Sequence, residues 1–237
     1  MTLPDFAPQH RHAFVLRGTA ATGPLFRPGP VPRGPILERM ALPGAALHLA
    51  RQVHGARIAE YPVSGAEGAS GDPGEPVEAD ALLARAPGHA VGVVTADCLP
   101  ILLAAKDGSC AAVHAGWRGL VAGVIEAAVE RLGGGSGLEA AIGPAIGPCC
   151  FEVGPEVVAR FAARFPGSAG FARGGDGDRS LIDLPGAARE ILATCGVDPG
   201  RIREADLCTR CRPDGLLESY RRDGKAAGRM VAVIGRA

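Results

Sequence analysis

Short apolar runs recur along the chain, most of them cut by glycine, proline or small polar clusters. Runs of this kind read as buried strands. The pattern predicts strands over 13–16, 57–61, 79–84, 90–95, 101–105, 109–113, 138–142, 201–205 and 230–234, with a further apolar stretch over 45–53. Asp107-Gly108 is a strong two-residue hairpin signal between two of these runs. That turn would set Ile101 opposite His114. Strict alternation would then place Cys98 and Ile101 on opposite faces. Pro100 donates no ladder bond and is expected to end one run, with a break that would turn the Cys98 thiol toward His114.

A different period appears between these runs. Leu120, Val121, Val124, Ile125, Ala128 and Leu132 recur at helical spacing, with Glu126 and Glu130 off that face. One amphipathic helix is predicted there, ended by the glycines at 133–137. Pro155 opens a second, with Val157, Val158, Phe161, Ala162 and Phe165 on one face. Asp183 is a suitable N-cap for a third helix through Cys195, closed by Gly196. Residues 36–40 suit a helical turn, and 18–35 and 166–180 read as loop. Residues 62–76 form the longest polar stretch, a surface insertion or a lid between His54 and Cys98. Hairpins mixed with three helices, and no repeat or clean linker, predict a single α+β domain over 1–237.

Composition narrows the function classes. The 237 residues carry 25 basic and 25 acidic side chains, so no basic excess suggests a nucleic-acid partner. No apolar run approaches the roughly 18–20 residues of a membrane span. The N-terminal stretch lacks a basic segment followed by an apolar one, so the expected location is the cytoplasm. Seven cysteines without regular spacing read as reduced thiols.

Candidate chemistry centres on two motifs, Thr95-Ala-Asp-Cys-Leu-Pro100 and His114-Ala-Gly-Trp-Arg-Gly119. Of six histidines, His10 and His12 lie in an expected frayed terminus, His48 in an apolar stretch and His89 in a turn. His54 and His114 end apolar runs beside glycine turns. With Cys98 they offer two imidazoles and a thiol, a ligand set for a catalytic metal with an open fourth position. The competing reading is a metal-free Cys98 nucleophile with His114 as base, the ring oriented by Asp97 or another carboxylate. Scattered core and turn residues are the plain alternative. Arg118 opens the 119–132 helix, where it would meet an anion or form a surface ion pair. Arg221 and Arg222 lie in a turn, and either would suit phosphate or a carboxylate. Cys208-x-x-Cys211 lacks a second pair, and adjacent Cys149 and Cys150 are not expected to share a pocket. Cys208 and Cys211 read as two ordinary thiols.

Gln52-Val-His-Gly55, the two central motifs, Gly143-Pro-Ala-Ile-Gly-Pro148 and Ser219-Tyr-Arg-Arg222 occur in an order that resembles the YfiH-like, or laccase-domain, family. The likeness spans roughly residues 45–235. It departs at the N-terminal end, where Gly18–Thr22 matches poorly, the family's Asn-Leu-Gly block is missing, and Arg39 follows Glu38 instead of Asn. The resemblance implies a single α+β domain with mixed sheets layered between helices. It implies zinc held by His54, Cys98 and His114, with copper the lesser alternative. It further implies phosphorolysis of adenosine, inosine and S-methyl-5′-thioadenosine, with adenosine deamination as a side activity. The partners would be a nucleoside and phosphate, bound near Arg118, Asp97 and Arg221. Oligomeric state is left open. Alternatives are a cysteine hydrolase on peptidoglycan precursors, a copper-dependent polyphenol oxidase, and an inactive metal-binding domain. A conventional laccase needs a type-1 copper and a trinuclear site, for which six histidines are too few.

Overall fold

The computed structural model describes residues 6, 9–15, 31, 33–62, 77–165, 171–212 and 215–236. Two sheets lie face to face. The larger has six strands: β3 (Ile58–Tyr61), β4 (Ala81–Ala84), β6 (Leu99–Ala104), β7 (Cys110–Ala115), β8 (Glu139–Ile142) and β12 (Ile202–Glu204), in the order β12-β8-β6-β7-β4-β3. The smaller has four: β1 (His10–Val15), β2 (Ala46–His48), β5 (His89–Thr95) and β13 (Met230–Arg236), in the order β1-β13-β5-β2. Both mix parallel and antiparallel pairs. A third, three-stranded sheet joins β9 (Glu152–Val153), β10 (Ala172–Gly174) and β11 (Ser180–Ile182). The expected loop over 166–180 therefore contains a small hairpin. Its strands are too short and polar to show a period of two.

Strand alternation sorts the side chains into layers. Leu99, Ile101, Leu103, Ala111 and Val113 face the helices α2 (Trp117–Ala122), α3 (Val124–Arg131), α4 (Pro155–Arg164) and α5 (Leu184–Thr194), forming the largest core cluster. Leu102, Ala104 and Ala112 face the other way, onto Val91, Val93, Ala232 and Ile234 of the smaller sheet. That sheet's outer face, through Ala90, Val231 and Val233, meets Ile36 and Leu37 of α1 (Arg33–Arg39). The architecture is a mixed α+β domain with two sheets between helical layers. Every residue of β4, β6 and β7 is buried, so these strands read as continuous apolar runs.

Several expectations need correction. The 119–132 run is two helices, broken at Gly123, whose left-handed φ of 85° caps α2 and opens α3. Ala162 is exposed on α4, whose buried residues are Val157 and Phe161. His10 and His12 are buried in β1, which pairs along its whole length with β13. α1 begins inside the span read as loop. The possible lid over 62–76 lies, Pro62 apart, outside the described residues, as do Gly18–Thr22.

The hairpin register differs by one residue from expectation, and this decides where the site forms. Ala105 N–H donates to Ser109 O at 2.9 Å and Gly108 N–H to Ala105 O at 3.1 Å. Gly108 has φ 90°. This is a three-residue turn closed by a left-handed glycine, not a two-residue one. Pro100, not Ile101, is then opposite His114. Proline also stays inside β6 instead of ending it. Toward β7 it occupies a position without ladder bonds, since His114 N–H donates to Asp80 O at 2.7 Å on the other side. Its nitrogen faces the end of β8, where only Gly143 N–H returns a bond, to Pro100 O at 2.9 Å.

Leu102 is fully buried between the two sheets. Leu102→Ala should lower stability by about 2–5 kcal/mol in urea unfolding. Ala162→Glu should stay within about 0.5 kcal/mol of wild type. A Leu102→Ala loss below about 1 kcal/mol would contradict the sheet-on-sheet core.

Candidate metal centre and its cavity

The shifted register puts Pro100, Leu102 and His114 on one face, the one turned toward the smaller sheet. Cys98 follows just beyond the strand end. The chain bends at Asp97, whose φ is 90°, and not at Pro100. His54 arrives from a separate loop and also holds a left-handed backbone, φ 61°. Ligand atoms of His54, Cys98 and His114 all lie within 4.8 Å of one another. The Cys98 Sγ–His54 Nε2 separation is 3.8 Å. A Cβ at residue 116 would sit 3.0 Å from Cys98 Sγ and 3.2 Å from the His54 ring, so only glycine lets this backbone pass so close.

One residue that the sequence reading overlooked holds both histidines. Asp80 is completely buried at the start of β4. Its Oδ1 accepts from His114 Nδ1 at 2.9 Å and from His54 N–H at 2.9 Å. Its Oδ2 accepts from Gly55 N–H at 2.7 Å and Val53 N–H at 3.2 Å. Three successive amides thus wrap one carboxylate, which offsets the cost of the strained His54 backbone. Gln52 fixes the same loop from the other side. Its amide exchanges two hydrogen bonds with the Val94 backbone, at 2.8 and 2.7 Å. The signal was present as an aspartate inside the apolar run 79–84, where an unpaired carboxylate would be costly.

Burial pushes the Asp80 carboxyl up, but His114 and the amides of Gly55 and His54 outweigh it and hold it below its usual value. Burial likewise raises the Cys98 thiol, and the two imidazoles reverse this, bringing it to about 7. Burial lowers His114, while Asp80 and Cys98 raise it, to about 9. In the metal-free protein these shifts favour a thiolate beside an imidazolium. The donor set itself fits a borderline-soft ion. It offers two nitrogens and one sulfur, has a carboxylate behind one imidazole to fix its tautomer, and leaves a side open to a cavity.

That cavity has a volume of about 530 Å³ and is lined by all three residues together with Asp97, Phe151, Tyr220, Arg221 and Arg229. Asp97 does not orient an imidazole. Its Oδ1 accepts from Thr209 Oγ1 at 2.5 Å and its Oδ2 from Arg221 N–H at 2.6 Å. It therefore joins the loop before β6 to α6 (Tyr220–Asp223). Arg221 lies over the Phe151 ring, 5.5 Å from its centre, and donates to Glu152 O at 2.8 Å. Arg222 is structural, bonded to Thr209 O, Leu217 O and Asp223. Arg118 is not in this cavity. It lies 4.4 Å over Trp117 and lines an adjoining cleft that shares Phe151 and Arg221.

The remaining histidines are elsewhere. His12 packs edge-on against Phe6 and Phe14, and His10 lies 3.3 Å from Ser109 O at the far end of the hairpin. His48 Nε2 meets His89 Nδ1 at 2.9 Å. Among the described residues, the other cluster suited to a metal is Cys149, Cys150, Cys208 and Cys211. Adjacent cysteines do share a site, contrary to expectation, because they occupy a tight turn and not a strand. No set of histidines matches a multicopper centre among the described residues. None of the described helices is long and apolar enough to cross a membrane.

Residues 33–237 match the family model described as multi-copper polyphenol oxidoreductase laccase. The chain is 41% identical over 186 residues to a protein named purine nucleoside phosphorylase YfiH from Shigella flexneri, covering 77% of this chain and 71% of that one. It is 39% identical over 161 residues to adenosine deaminase RL5 from an unknown prokaryotic organism, covering 65% and 61%. The crystal structure of the hypothetical protein YfiH of Bacillus licheniformis superposes with a TM-score of 0.83 at 25% identity, covering 97% and 93%. Sequence and fold agree, and the chain belongs to this laccase-like YfiH family, whose relatives include proteins named purine nucleoside phosphorylases.

Proposed function

We propose that this protein is a zinc-dependent purine nucleoside phosphorylase acting on adenosine, inosine and S-methyl-5′-thioadenosine, with adenosine deamination as a side activity. One observation carries the reading. Three metal-type donors and two arginines line a single cavity, in a chain 41% identical to a protein so named. His54, Cys98 and His114 would hold the zinc. Copper is the lesser reading: two nitrogens and one sulfur also suit a single copper ion, but without the further histidines of a trinuclear site they do not make a laccase. Bound zinc supplies a Lewis acid that polarises a substrate group or lowers the pKa of a water.

The chain's own residues supply the rest. Asp80 keeps His114 in the tautomer that leaves Nε2 for the site. Arg221 and Arg229 give the cavity positive charge for phosphate. Tyr220, an exposed aromatic on the cavity lining, offers a ring face for a purine. In phosphorolysis a phosphate oxygen bonds to the ribose C1′ as the C1′–N9 bond breaks. The products are ribose 1-phosphate and the base, which leaves with the bonding pair and takes up a proton. Asp97 is a positioning residue, since its carboxylate pins the Arg221 backbone. Arg118, in the adjoining cleft, ranks behind Arg221 as an anion contact. The likeness to a protein named adenosine deaminase supports the side activity.

Purified, zinc-loaded protein should release hypoxanthine from inosine only when phosphate is present, and Cys98→Ala should abolish the release. Full activity in Cys98→Ala, or none in the wild type, overturns the assignment. Arg221→Ala should raise the KM for phosphate by roughly 10–100-fold, the loss of a charged hydrogen bond.

Asp80→Asn should weaken zinc affinity by about 10–100-fold in chelator competition. An unchanged affinity would remove Asp80 from the site's support.

In the metal-free protein, iodoacetamide labelling of Cys98 should rise through pH 7, because its thiol is brought down to about 7. Cys110, pushed up to about 12, should stay unlabelled over the same range. Zinc should protect Cys98. A rise centred at the free-thiol value of about 8.5 would show that the imidazoles do not act on the sulfur.

A further inference from the structure

Four of the seven cysteines converge away from the cavity just described. Cys149 and Cys150 lie on the turn after β8, where Cys150 N–H and Phe151 N–H both donate to Gly147 O at 2.9 Å. Cys208 and Cys211 lie on the turn after β12. The two turns are joined by backbone bonds, from Ala145 N–H to Leu207 O at 3.3 Å and from Thr209 N–H to Ala145 O at 2.9 Å. All four sulfurs lie within 4.8 Å of one another, and all four thiols are free. Cys149 Sγ and Cys211 Sγ are 3.5 Å apart. Gly147 N–H donates to Cys208 Sγ at 3.3 Å, an arrangement that favours a charged sulfur.

Four thiols this close have few stable chemical outcomes. A single tetrahedral ion with metal–sulfur bonds of about 2.3 Å sets its sulfurs roughly 3.8 Å apart, a spacing compatible with the 3.5 Å Cys149–Cys211 separation and the 4.8 Å bound on all four. A polynuclear iron–sulfur cluster must enclose several metal atoms and needs its cysteines farther apart. Cys150 is buried in the core while Cys149 and Cys211 are exposed, so the cluster is anchored at one end and open for ion entry at the other. Arg210 and Arg212 flank Cys211 and place positive charge beside what would be a dianionic centre.

We infer that Cys149, Cys150, Cys208 and Cys211 form a closed tetrathiolate site for one structural zinc ion, independent of the His54–Cys98–His114 donors. Its place in the fold gives it a task. It clamps the 147–150 turn to the 208–211 turn. The first is next to Ile146, whose N–H donates to Asp97 O at 2.9 Å. The second contains Thr209, which binds the Asp97 carboxylate. The ion would brace the cavity wall without touching a substrate.

The test is zinc stoichiometry by elemental analysis of protein purified under reducing conditions. Cys98→Ala should retain one zinc per chain, held by the four cysteines. The double variant Cys149→Ser/Cys211→Ser, altered only at exposed positions, should lose one zinc relative to wild type. Cobalt replacement reads the same site independently of activity and of the double variant's folding. Cobalt-loaded Cys98→Ala should show the intense sulfur-to-metal charge transfer of four thiolates. Loss of that zinc should lower the melting temperature of Cys98→Ala on chelation. Equal zinc content in wild type and a folded double variant, absence of a tetrathiolate spectrum in Cys98→Ala, or a disulfide among the four in freshly purified protein overturns the inference.

Discussion

The grip of one buried carboxylate on two chain segments underlies this site. Asp80 is taken out of water entirely, so each of its oxygens must be satisfied by the protein. It is satisfied by the His114 ring and by three amides of the 53–55 loop. The same residue's carbonyl takes the His114 N–H. A fully desolvated charge thus becomes the joint between a central strand and an otherwise exposed loop. Removing either partner would leave that buried carboxylate with oxygens only partly satisfied, a costly state. His54 is exposed and backbone-strained, yet it has a defined direction because Asp80 holds the amides on both sides of it.

Much of the fold was legible in the chain, and the exceptions share a cause. Buried strands announce themselves as apolar runs, and the 155–164 and 184–194 helices carry their own start signals in Pro155 and Asp183. What could not be read was geometry decided by a single residue. Asp107-Gly108 suits either a two- or a three-residue turn, and only the bonds of Ala105 and Ser109 choose between them. An apolar stripe running through Gly123 cannot report that the helix breaks there. His10 and His12 looked terminal, but β13 supplies a partner strand from the other end of the chain.

The site was legible in part. The two histidines and the thiol stand out because reactive side chains follow apolar runs. Asp80 did not, since a carboxylate among alanines and leucines is easily passed over as a strand end. The four-cysteine cluster was hidden by the assumption that neighbouring side chains diverge. Arg118 and Arg221 are each exposed in the first turn of a short helix, so nothing local distinguishes them. The path of the chain past Phe151 does, placing Arg221 at both the cavity and its neighbour. The family description names a multicopper laccase, whereas the described residues bring only two histidines together with the thiol, too few for a trinuclear copper site.

The three-residue turn at 106–108 has a meaning beyond the hairpin it closes. Side chains alternate along β6 and β7, so the turn's length sets which face His114 shares with its opposite number. A single inserted or deleted residue that shifted this pairing would carry His114 from the sheet–sheet interface into the helix-side core, though neither strand's composition changed. Length variation among descendants of this chain should therefore be tolerated here only where a compensating bulge restores the parity. The turn lies at the far end of the hairpin from every ligand, yet an alignment gap there would be more telling than many substitutions nearer the site.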